Sequence, residues 1–314
     1  MTSNRAALLL AAGLILSAGC GNYSNEDLEF MNAVPDQSDI SADMPVRSAL
    51  LNTSEAELAK ATHDVVATFN GMLGTVLAGI EAIRSYEPTS RGADSRTWGP
   101  IADSSAPGWQ WQFQMTKQSD GSFTYEFDRE PAGAQPDAWF AFVSGQFLPS
   151  PGVRRGTGSF TLDTGPSRAA GYPLDSGTAK IDTVTFSYAT ASYPINVAMN
   201  LVNYPNYPDL TTTNTVDYAY VGQSGGEGQM SFTIMGNLIT ATPAPETVAV
   251  VSRWLATGAG EANLTVESGD DDGLMQTECW DTSFDATYND KPWQPDQDVG
   301  TPGDLSPCPQ FPTL

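Results

Sequence analysis

Residues 109–128 read WQWQFQMTKQSDGSFTYEFD, and the fold class turns on the alternation inside them. Trp109, Trp111, Phe113 and Met115 take every second position, with Gln110, Gln112, Gln114 and Thr116 between them. Successive side chains of a strand point to opposite faces, so this period of two describes a strand with one face in a core and one in water. The polar run QSDGS at 118–122 supplies turn residues, after which Phe123, Tyr125 and Phe127 alternate with Thr124, Glu126 and Asp128. Two half-buried strands joined by so short a turn make an antiparallel hairpin.

Outward from this hairpin the signal repeats. Strand patterns bounded by Gly, Pro, Asn, Asp and Ser fall near 138–147, 154–163, 178–189, 193–202, 214–221, 228–239, 246–256, 260–267 and 276–288. Their regular spacing predicts a curved antiparallel β-meander or partly open barrel. Upstream the period changes. Leu58, Ala61, Val65, Phe69, Met72, Val76, Ile80 and Ile83 recur at steps of three and four, Ser54 and Glu57 fit a capping box, and Pro88 marks the end. One long amphipathic helix therefore packs on the sheet, crossing it diagonally or bending near Gly71 and Gly74. Beside its apolar stripe, Ala67, Gly71, Thr75 and Gly79 fall four apart, a ridge of small residues that predicts close approach of another backbone. Asp64, Asn70, Glu81 and Arg84 argue against lipid burial of this helix. The fold class is mainly β (α+β), a meander against one long N-terminal helix.

The 314 residues carry 14 Lys plus Arg against 37 Asp plus Glu, a net charge of −23. Nucleic acid is excluded as a partner by that excess, and so is a basic patch holding the chain to anionic lipid. Membrane contact has to come from elsewhere. Arg5 precedes an uncharged, mostly apolar run from Ala6 to Gly19, the layout of a secretory signal. At about 1.5 Å per residue such a run spans roughly 21 Å, short of a hydrocarbon core of roughly 30 Å.

Ser17-Ala18-Gly19-Cys20 resembles the lipobox of bacterial lipoproteins, with Ser17 standing where that family favours Leu. The resemblance implies cleavage before Cys20, acylation of its thiol, and a lipid-anchored protein of the cell envelope. Gly21, rather than Asp, at the next position implies the outer membrane. The segments RWLATGAGEANLTV at 253–266 and ECWDTSFDATY at 278–288 are likewise similar to the C-terminal part of uncharacterised bacterial lipoproteins, and they transfer no catalytic residue. On this reading residues 1–19 are a signal peptide, 20–48 a lipidated N-terminus and flexible acidic tether, 49–290 a single helix-plus-sheet domain, and 291–314 a Pro-rich tail. Leu28, Phe30 and Met31 are the side chains through which the tether would dock. With Cys20 acylated, Cys279 and Cys308 remain as a disulfide pair. Two free thiols fit an oxidising compartment less well, and metal ligation is disfavoured by a single histidine and no Cys-x-x-Cys.

Candidate chemistry is sparse. LDTG at 162–165 and LDSG at 174–177 have the form of aspartic-protease turns, yet Asp163 and Asp175 lie twelve residues apart, which leaves no room for the lobe between them. Ordinary turns explain them. Asp270, Asp271 and Asp272 form the one candidate calcium site, set against the simpler reading of a solvated hairpin tip; no other cofactor is expected. His63 has no second histidine or nucleophile with which to form a catalytic set and reads as a partly exposed helix residue. Trp109, Trp111, Phe113, Phe123, Tyr125, Phe127, Trp139 and Phe140 either fill the core or line a greasy cleft between helix and sheet. The expected function is binding of an apolar or lipid-like ligand there, without enzymatic activity. The alternative is a structural lipoprotein whose partner is another envelope protein, and a hydrolase of envelope polymers has the least support.

Overall fold

The computed structural model describes residues 23–46, 55–83, 86–134, 138–174, 181–205, 213–236, 246–269 and 271–311. Four helices lie among them: α1 (Asn25–Met31), α2 (Gln37–Ile40), α3 (Glu57–Ile83) and α4 (Gly165–Ala169). The hairpin predicted from alternation is β3 (Trp109–Lys117) and β4 (Phe123–Pro131), in register from Trp109 opposite Pro131 to Lys117 opposite Phe123. Before it come β1 (Ser90–Arg91) and β2 (Ser95–Ala102). After it come β5 (Phe140–Pro149), β6 (Gly156–Asp163), β7 (Thr183–Ala189), β8 (Ile195–Pro205), β9 (Thr213–Gly222) and β10 (Gly228–Gly236). The series ends with β11 (Glu246–Trp254), β12 (Gly260–Ser268), β13 (Met275–Trp280) and β14 (Ala286–Asp290). The described strands form one fourteen-stranded sheet in strict chain order, every pair antiparallel, with β1 and β14 as unjoined edges. It is a meander that does not close.

Two strand expectations change. Residues 90–102, for which no strand is expected from the sequence, contain β1 and β2, because the Gly99-Pro100 pair at a register shift between Trp98 and Ile101 hides the alternation around buried Trp98. The run 276–288 divides into β13 and β14 at a turn in which Asp281 accepts the Ser283 backbone N–H.

One face of the sheet carries nearly the whole core. Phe113, Phe123, Phe147, Phe160, Phe186, Trp254 and Trp280 are all buried there. A recurrent device lets the large rings lie flat: a glycine stands directly opposite an aromatic on the next strand. Gly145 faces Tyr125, Gly158 faces Tyr188, Gly228 faces Trp254 and Gly260 faces Trp280. A Cβ on any of these glycines would fall 2.3–2.5 Å from the ring. Each ring thus occupies the space a side chain would need.

Against this face lies α3, with Leu58, Thr62, Val66, Phe69, Leu73, Val76, Leu77, Ile80 and Ile83 buried. The helix crosses the strands, as expected. Leu58 donates its backbone N–H to Glu278 on β13, Thr62 meets Ser252 on β11 at 2.5 Å, and Phe69 packs on Phe186 of β7 at 5.9 Å. The expected stripe is displaced, since Val65 and Met72 flank the core while Val66 and Leu73 enter it. The ridge Ala67, Gly71, Thr75 and Gly79 faces outward, and added Cβ atoms at Gly71 and Gly79 would meet nothing within 4 Å. No backbone approaches the ridge there. Of the expected capping box, Ser54 lies outside the described residues. The Glu278 carboxylate, reaching from the sheet, accepts from the Glu57 and Leu58 backbone N–H groups.

Residues 23–46, read as a flexible tether, are packed. Phe30, Ala33, Val34, Ile40, Ala42 and Met44 join the core, whereas Leu28 is 44% exposed. The stretch 37–45 runs back along α3: Asn70 exchanges hydrogen bonds of 2.9 and 2.8 Å with the Ala42 backbone, and His63 Nε2 lies 2.8 Å from the Pro45 carbonyl. The other ring nitrogen of His63 meets Glu55. The lone histidine is therefore a half-buried latch.

At the other end, the Pro-rich tail crosses the opposite face of the sheet. Cys279 and Cys308 form the disulfide and bury with Tyr288 in a small second cluster. Asn289 bridges to Val299, and Phe311 lies under the Arg253 guanidinium at 4.4 Å. Proline-rich cover of this kind blunts the β14 edge against pairing with other chains.

Candidate functional site

Most of the space between α3 and the sheet is filled by side chains, but a cleft of about 270 Å³ remains beneath the C-terminal half of the helix. Val76 and Ile80 form its roof with Thr75 and Gly79 at the rim, Phe127, Val143 and Leu162 its apolar floor, and Tyr172, Pro173 and Leu174 its outer wall. Two small residues of the outward ridge thus open the mouth of a cleft.

Arg129 also lines it. Alternation along β4 puts Phe123, Tyr125, Phe127 and Arg129 on one face, so a cation follows three aromatics onto the core side. Its guanidinium carbon lies 3.6 Å from the centre of the Phe142 ring and 4.1 Å from that of Tyr172. Phe142 reaches this place through an irregularity. Phe127 pairs with Val143 and Asp128 with Ala141, leaving Phe142 as an extra residue on β5, so that Phe142 and Val143 both line the cleft. A bulge re-aims side chains in just this manner.

The electrostatics are uneven. Nε and Nη1 of Arg129 are buried and find no hydrogen-bond acceptor among the described residues, and the group makes no ion pair there. Burial pushes it below the ordinary arginine range. Nearby, the Asp103 carboxylate is already engaged: it accepts the Tyr172 hydroxyl at 2.7 Å and both the Ser105 backbone N–H and hydroxyl, at 2.9 and 2.5 Å. Burial raises Asp103, but those hydrogen bonds outweigh it and leave the carboxyl below its usual value. Burial also raises Tyr172, which keeps the hydroxyl protonated as a donor.

Of the aromatics predicted for a cleft, Phe127 alone lines this one. Phe113, Phe123 and Tyr125 are core residues, Phe113 packing between Trp98 and Tyr125 at ring distances of 5.6 and 6.0 Å. Trp111 stacks on Phe127 from the side at 5.5 Å, Trp109 meets Tyr172 edge-on at 5.2 Å, and Trp139 is half-buried before β5. Phe123 borders a separate shallow groove with Phe147 and Pro149. Sequence reading missed Arg129 because the alternation was followed only to Phe127; two further residues bring the cation inside.

The remaining candidates separate as follows. Asp163 accepts the Gly165 N–H at 2.9 Å, a turn at the start of α4, and Asp175 lies outside the described residues. Asp270 does too, while Asp271 is half-buried and Asp272 exposed. No group of three metal-ligating side chains converges among the described residues. Cys20 and the whole leader are also outside them. The chain matches no known family model, no characterised protein and no solved structure.

Proposed function

We propose that this chain is a binding module of the cell envelope, attached to the outer membrane through acylated Cys20, which holds a small apolar ligand between α3 and the sheet. The observation that supports binding is the cleft: Val76, Ile80, Phe127, Val143 and Leu162 face a space of about 270 Å³, close to the lower end of ligand pockets at roughly 300 Å³. No paired carboxylates or nucleophile with its base accompany it among the described residues, so the reading is binding and not catalysis. The leader supports attachment by its lipobox resemblance alone.

The test uses the mature chain and the uncharged fluorophore N-phenyl-1-naphthylamine. Saturable binding at one site is expected, and Gly79→Trp abolishes it by filling the mouth at a position where nothing stands in the way of a side chain. Absence of saturable binding overturns the reading. Attachment is tested separately, by incorporation of labelled palmitate that Cys20→Ser eliminates.

A further inference from the structure

We propose that the ligand is a monocarboxylate with a compact apolar body, its anionic head paired with Arg129. This rests on the binding reading above and narrows it to a chemical class. Four observations carry it.

The first is a contrast within the same chain. Arg96 is buried, at 2% exposure, where Arg129 is half-buried, and its donors are satisfied: Nε to Asp27 at 2.6 Å, Nη2 to Glu26 at 3.0 Å, and Nη1 to the Gly92 and Ser95 carbonyls at 2.8 Å each. Arg129 has two buried nitrogens with no acceptor among the described residues; ring faces are its close contacts, and Asp103 acts on it as a nearby charge. Cation–π contact satisfies the charge in part and the N–H directions not at all. A buried arginine is ordinarily matched by a carboxylate, and among the described residues none pairs with Arg129, Asp103 acting on it only as a nearby charge.

Second, the walls opposite the cation are hydrocarbon, so head and body of an amphiphile find separate partners in one cleft. Third, the positive site is single. The adjacent Asp103 and the overall charge of −23 oppose a second negative charge, which selects a monoanion over a phosphate monoester. Fourth, the extra residue in β5 brings Phe142 against the guanidinium, fixing its plane and leaving its edge as the part that a carboxylate recognises.

Isothermal titration of the mature chain compares decanoate, decanol and decylamine, which share a chain and differ in head. Decanoate is expected to bind about ten- to a hundredfold more tightly than decanol, the factor of one charge-assisted hydrogen bond. Decylamine binds worst at the cleft, although the net charge of the protein attracts it, so the order reports the local cation and not the bulk field. Arg129→Met lowers decanoate to the level of decanol; Arg129→Lys keeps part of the preference. Equal affinity of wild type for acid and alcohol, or a preference that survives Arg129→Met, overturns the carboxylate assignment while leaving the binding module in place. The three-head comparison on wild type stands even if the methionine variant fails to fold. If none of the three binds while N-phenyl-1-naphthylamine does, the carboxylate assignment fails and the binding module stands; if the naphthylamine fails as well, the binding reading itself has failed.

Discussion

Replacing Asp27 by asparagine should loosen the N-terminal segment and unfold the protein more easily. Asp27 is fully buried and receives Arg96 Nε at 2.6 Å and Arg91 Nε at 3.2 Å. It also closes a capping box, accepting the Ser24 N–H at 3.1 Å while its own N–H goes to the Ser24 hydroxyl at 3.0 Å. Burial raises the carboxyl, but hydrogen bonds from Arg96, the Ser24 backbone and Arg91 overcome it and bring the pKa from 3.8 down to about 2. Breaking a buried pair from one side costs about 3–5 kcal/mol, because the other charge is stranded. Arg96 keeps Glu26 and two carbonyls, which places the loss near the lower end, about 3 kcal/mol. Urea unfolding followed by tryptophan fluorescence reads this as a lower midpoint at unchanged slope, and hydrogen exchange reads faster exchange in α1. The acid limb checks the cause. A depressed carboxyl contributes stability above 3.8 that is lost as pH falls through about 2, and the asparagine variant lacks that limb. A variant within about 0.5 kcal/mol of wild type, with the same acid limb, would refute the assignment of Asp27 as the pin.

Glu278 has the opposite sign: burial raises its carboxyl, so stability is fullest below 4.5 and declines as pH rises through the folded value, a slope that Glu278→Gln should remove in pH-dependent thermal unfolding. Replacing Cys279 and Cys308 by alanine opens a cross-link spanning 29 positions, an expected loss of about 3.6 kcal/mol on the chain-entropy account, measured by denaturant titration with and without reductant. Gly228→Ala puts a methyl 2.5 Å from the Trp254 ring and should cost about 1–3 kcal/mol, with a changed near-ultraviolet dichroism from the displaced indole.

Strand existence was legible wherever side chains alternated without interruption, as in β3, β4 and β7 to β12. It failed at β2, where Gly99-Pro100 breaks the period, and at the β13–β14 turn, where buried Cys279, Trp280, Phe284 and Tyr288 on both sides masked the short polar break at Asp281-Thr282-Ser283. For α3 both stripes share Leu58, Phe69, Val76, Ile80 and Ile83, and a helix apolar over a wide arc leaves its rotation to be decided by the sheet. The cleft was unreadable for a different reason. Its character depends on Phe142 leaving the pleat and on the 172–174 segment folding over Arg129, and both are tertiary events with no local periodicity. Acidic residues 23–46 looked solvated because their anchoring partners, Arg91, Arg96 and Arg154, lie far away in sequence.

The docking of α1 sets a stand-off. Ser24, the capping residue of that helix, stands four positions after Cys20, and four extended steps reach at most about 14 Å. With the acyl chains we propose on Cys20, the body would ride against the lipid headgroups like a boat at a short mooring, too near the bilayer to sweep the periplasm for a distant partner.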